Sequence, residues 1–144
     1  MAKNTAEQVK AKGFCLAGLK VDEERAKTGI WVPFMQGAEF LIGRAGSAAY
    51  NKQISNAWKE HETALQADTP EAEELGQKMV AEAVANHELL GWRGVIDEEG
   101  NELPYSKEKA LEYLMIDEVF EFVKTHSTKR ENWRISSTQD MGKN

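Results

Sequence analysis

Two short runs of bulky and β-branched residues, Ile30-Trp31-Val32-Pro33-Phe34 and Phe40-Leu41-Ile42, flank Met35-Gln36-Gly37-Ala38. Alternation about a glycine-bearing turn predicts a β-hairpin over about 30–42. Pro33 has no N–H for a ladder, so its strand is expected at an edge. A lone hairpin is marginal in water, so one face, carrying Trp31 with Phe40 or Ile42, is expected to lie on helices.

Beyond Gly43-Arg44-Ala45-Gly46 the apolar period changes from two to three and four. Tyr50, Ile54, Ala57, Trp58, His61 and Leu65 share one stripe, which predicts a long helix. Thr69 followed by Pro70, Glu71, Glu73 and Glu74 is a helix start with a cap, a first-turn proline and acids at the positive dipole end. The stripe then runs through Leu75, Met79, Val80, Ala83, Val84, His87 and Leu90 and stops at Gly91. The short link at 66–68 predicts that the two helices are antiparallel neighbours. Residues 91–105 are expected to form a glycine-rich loop with a tight turn at Asp97 to Gly100. Ser106 caps a further helix with Ala110, Leu111 and Leu114 inward, and Asp117 opens another with Val119, Phe120, Phe122 and Val123 inward. At the start, Asp22 precedes a short helical turn that ends at Thr28-Gly29, and Phe14, Leu16 and Leu19 are expected to make the first core contacts.

The expected fold is therefore mainly α (α+β). A small N-terminal β-hairpin packs on a helical hairpin, with two shorter C-terminal helices. The polar ends suggest a flexible arm over 1–12, one domain over 13–134 and a flexible tail over 135–144. With 144 residues and 41% hydrophobic content, the chain supports one modest core.

A formal charge of −6 with thinly spread Lys and Arg argues against general affinity for nucleic acid. No apolar run is long enough for a membrane span, and Cys15 is the sole cysteine, which suits a reducing compartment. His61-Glu62 and His87-Glu88 each begin a zinc-protease string, but Leu65 and Gly91 stand where its second histidine belongs. The two histidines fall on paired helices, yet two imidazoles without a third ligand make a poor zinc site. Asp97, Glu99, Asn101 and Glu108 have calcium-loop spacing, but Glu102 replaces the required glycine and Pro104 interrupts the loop. Gly43 to Ser47 joins strand to helix without the Lys-Ser/Thr of a phosphate loop, and no serine stands in a nucleophile elbow. The expectation is no catalytic residue, no cofactor and no metal. What remains is surface for partners. Trp92 and Arg93 lie outside a helical stripe, and Trp and Arg anchor interfaces. Trp92, Arg93, Tyr105 and Trp133 are the candidate partner-binding residues, with Trp31 and Trp58 assigned to the core.

Several segments also carry a family likeness in their order and spacing. They are Gly29-Ile30-Trp31-Val32-Pro33-Phe34, then Phe40-Leu41-Ile42-Gly43-Arg44-Ala45-Gly46, then Leu89-Leu90-Gly91-Trp92-Arg93-Gly94-Val95 with Asp97-Glu98-Glu99-Gly100, and Leu103-Pro104-Tyr105-Ser106-Lys107-Glu108. Over about residues 16–133 they resemble the siphophage-type tail assembly chaperones of bacteriophages. The resemblance implies a protein of the host cytoplasm that binds the tape measure protein and helps recruit tail tube subunits during tail morphogenesis, without catalysis, and is absent from the mature virion. It supplies no catalytic residue, and the polar arm before Phe14 departs from the family pattern. Competing expectations are a structural virion component, such as a head–tail connector or minor tail protein, and a small acidic regulator of a host protein. Self-association through the hairpin edge is a further possibility.

Overall fold

The computed structural model describes residues 11–136, so most of the expected arm (1–12) and tail (135–144) lies outside the described residues. Helix α1 is Glu23–Thr28, capped by the Asp22 side chain on the Arg25 N–H and ended by Gly29. Strands β1 (Ile30–Pro33) and β2 (Glu39–Ile42) form the expected hairpin, with Val32 opposite Phe40 and Trp31 opposite Leu41. Helix α2 is Ala48–Glu60, started by Ser47, whose hydroxyl accepts the Tyr50 N–H. The short α3 is Glu62–Gln66, and α4 is Pro70–His87 behind the Thr69 cap. Strand β3 is Leu89–Arg93, followed by α5 (Lys107–Leu114) behind the Ser106 cap and α6 (Asp117–Thr128). The fold is mixed α and β, mainly helical, as its patterning predicts.

Five expectations are corrected. Leu89–Arg93 is not a helix end and loop but a third strand, antiparallel to β2 in the order β1-β2-β3. Leu89 and Leu90 continue the helical spacing, and this segment has no β-branched residue, so periodicity carries the expected helix three residues past its end at His87. The long helix over 50–65 is broken at His61, which leaves α2 and α3 as separate pieces. Trp31 faces away from the core, because pairing gives the inner face to Val32, Phe40 and Ile42. Trp58, one residue past half-buried Ala57, turns about 100° off the contact line of α2 and is exposed. Phe14, Leu16 and Leu19 are exposed rather than core.

The core lies between the inner face of the sheet and a layer made by the C-terminal half of α4 with α5 and α6. Val32, Phe40, Ile42, Leu89 and Trp92 from the sheet meet Ala81, Val84 and Ala85 of α4, Ala110 and Leu114 of α5, and Val123 of α6. The alanines let the helices approach each other and the sheet closely. Helix α2 runs antiparallel along the other side of α4: Gln53 pairs with Asn86, and Leu65 lies beside Gly76. No residue of α2 or α3 is fully buried.

Both sheet edges are blunted. At β3, Leu89 O accepts the Tyr105 hydroxyl at 2.6 Å, and the Trp92 indole N–H reaches Leu103 O at 2.8 Å, so residues 103–105 cover that side. At β1, Phe34 N–H bonds Ala38 O, and by alternation Trp31 and Pro33 point their backbone groups outward. Pro33 has no N–H to offer, and the open edge of β1 is left with one outward donor.

Candidate functional site

An apolar cleft of about 520 Å³ opens at the turn end of the sheet. Its floor is Phe40 and Trp92, neighbours across β2 and β3. One wall is the hairpin turn from Phe34 to Ala38, and the facing wall is the chain from Gly94 to Glu98 with Leu103. Tyr113 of α5 and Val119 of α6 close the back. Packed rings hold this frame. Phe34 stacks on Phe40 with centroids 4.9 Å apart, and Phe122 meets Phe34 edge-on at 4.8 Å. Trp92 lies edge-on to Tyr105 at 5.1 Å.

The two walls touch through backbone. Gly94 has φ +73°, and a Cβ there would stand 2.7 Å from Gly37 O, closer than any side chain allows. Beyond it, Asp97 closes its own turn by accepting the N–H groups of Glu99 and Asn101, while Ile96 and Glu102 bridge across. The mouth is lined by Met35 and Ile96, both exposed, and the rim carries the carboxylates of Asp97 and Glu98. No Lys or Arg among the described residues lines the cleft. The chemistry on offer is capture of an apolar group beside negative charge.

The sequence-selected residues divide. Trp92 is 8% exposed and forms the cleft floor. Tyr105 supports it from behind, and burial pushes its phenol pKa above the ordinary value. Trp133 is interior, its indole N–H donating to Ser127 O at 2.9 Å, and lines a separate cavity with Arg44 and Arg134. Arg93 points to the opposite face of the sheet, where it pairs with Glu39 at 2.7 Å and covers the exposed Trp31 ring at 4.0 Å. Trp92 and Tyr105 therefore meet at one site, while Arg93 and Trp133 lie elsewhere. Sequence reasoning missed Met35, Val95 and Ile96. Their signal was apolar residues placed beside turn glycines, where no helix or strand claims them.

The histidines do not converge. His87 Nε2 lies 2.8 Å from Gln53 Oε1, and burial is the first cause that lowers its pKa. His61 lines a cavity with Met79, about two turns before His87 on α4. Among the described residues no three His, Cys, Asp or Glu side chains gather to hold a metal ion. The Gly43–Ser47 loop is filled from within. Glu88, fully buried, accepts the Gly46 N–H at 3.4 Å, Lys124 Nζ at 2.7 Å and the Ser127 hydroxyl at 3.3 Å. The protein's own carboxylate occupies the place where an outside anion would dock.

No helix among the described residues is long and apolar enough to cross a membrane. No curated protein and no solved structure matches the chain. The family model of the YdaY prophage protein matches residues 45–144, a span that takes in α2 to α6, β3 and the Trp92-to-Leu103 side of the cleft. The chain is thus phage-derived and belongs to the YdaY prophage protein family.

Proposed function

We propose that this prophage protein is a non-catalytic tail assembly chaperone, which binds apolar segments of the tape measure protein and helps bring tail tube subunits to it. The observation that carries the reading is the open apolar cleft between the hairpin turn and the Gly94–Glu98 chain. A chaperone of this kind needs an accessible apolar surface on a body kept soluble by charge, and an acidic chain with one such cleft meets that need. The prophage family gives a phage origin, and the order of segments resembles that of siphophage tail assembly chaperones.

The test is co-expression with the tape measure protein of the same prophage. The pair co-purifies and the client stays soluble; Ile96→Asp, at an exposed position on the mouth, abolishes both while leaving thermal unfolding unchanged. Recovery of the protein in purified virions, without client rescue, would instead make it a structural component.

A further inference from the structure

The segment before α1 is built unlike the rest of the surface. Phe14, Leu16 and Leu19 are 64%, 76% and 44% exposed, three large apolar side chains within six residues, and none of Leu16–Leu19 is buried. Lys12 and Lys20 flank this run, and no acid occurs between Lys10 and Val21. Exposure of that much apolar surface on one short segment points to a missing partner.

The cleft has the complementary character. It is apolar, has two carboxylates on its rim and no base among its described lining residues. It also lies at the wrong end of the sheet for the chain's own segment. The cleft is at the Phe34–Ala38 turn, whereas Leu19 and Val21 share a cavity with Arg44 and Ala45, beyond the other end of β2. The segment is tied there: Asp22 N–H bonds Trp133 O, Ile135 N–H bonds Lys20 O, and Gly18 packs against Ser136.

We infer that the Phe14–Leu19 segment of one copy docks in the cleft of a second copy, with Lys12 and Lys20 beside the Asp97 and Glu98 rim. The contact is head-to-tail, because the segment and cleft of one molecule lie at opposite ends of the sheet. Such heterologous contacts build rings or open chains rather than two-fold dimers. The inference shares the cleft with the proposed function but not its client. Self-docking would cover the cleft until a client segment displaces it.

Sedimentation velocity over a concentration series tests this with three full-length proteins. The natural chain associates progressively with concentration. Phe14→Ser with Leu16→Ser, both at exposed positions, and Ile96→Asp, at the mouth, each remain monomeric. Mixed at equal concentration, the two variants form a one-to-one complex and nothing larger, since only one segment and one cleft are intact in the pair. A natural chain that is monomeric throughout, variants that associate like it, or a mixture that does not pair would each overturn the inference. The segment variant retains client rescue on co-expression, so loss of self-association with client binding intact separates this inference from the proposed function.

Discussion

The two faces of the three-stranded sheet carry one tryptophan each and use them in opposite ways. On the inner face Trp92 is packed by Phe40, Tyr105 and Tyr113, with its indole N–H bonded to Leu103 O. On the outer face Trp31 stands 40% exposed under the Arg93 guanidinium, beside Leu41 and buried Gly91. The inner face is apolar throughout, with Val32, Phe40, Ile42, Leu89 and Trp92, whereas the outer face also carries the Arg93–Glu39 ion pair. The difference comes from what packs on them: α4, α5 and α6 cover one face, and among the described residues no helix belongs to the core cluster from the other. A tryptophan's role here is set by its parity along the strand, because one step reverses the face.

Substitutions can break or sharpen that contrast. Trp92→Ala is expected to have the largest effect, a loss of about 3–5 kcal/mol in urea unfolding, because it removes a packed ring and orphans Leu103 O. Gly94→Ala comes next, at about 1–3 kcal/mol, since its positive φ and the 2.7 Å approach to Gly37 O force the two walls of the cleft apart. Trp31→Ala should cost least, about 0.5–1 kcal/mol, the value of an exposed cation–π contact. Equal losses for Trp31→Ala and Trp92→Ala would end the distinction between the faces. A Gly94→Ala protein as stable as the natural one would show that the wall contact is dispensable.

Legibility in the sequence followed local chemistry. The hairpin, the Thr69-Pro70 start, the Ser106 cap and the short helical turn after Asp22 were readable, because each depends on a few adjacent residues whose backbone preferences agree. Strand β3 was not, since Leu89-Leu90-Gly91-Trp92-Arg93 is held as a strand by pairing to β2, an interaction about fifty residues distant in the chain. The side on which Trp31 falls was unreadable for a related reason: alternation gives two faces and does not say which is covered. Of the cleft's lining, Trp92 was singled out through residue type and loop position, and Tyr105, chosen with it, packs against Trp92 without lining the cleft. Met35, Val95 and Ile96 were missed because only the folded chain brings the hairpin turn against the Gly94 segment. Glu88 was half seen, as part of a histidine pair, while its true partners Lys124 and Ser127 lie on α6.

The close approach of Gly94 to Gly37 has a consequence for how the cleft selects what it holds. Backbone touching backbone fixes the distance between the walls, so entry cannot depend on a hinge and incurs little ordering cost. The adjustable parts are the side chains at the mouth, an unbranched methionine and an isoleucine, both free in solvent. Methionine adapts its shape to different neighbours, so a rigid frame with a pliant lip accepts apolar anchors of varied outline while rejecting polar ones. As the proposed client site, a cleft of this build would be selective for chemical character and tolerant of shape, which would let one site serve many unlike stretches along a single long chain.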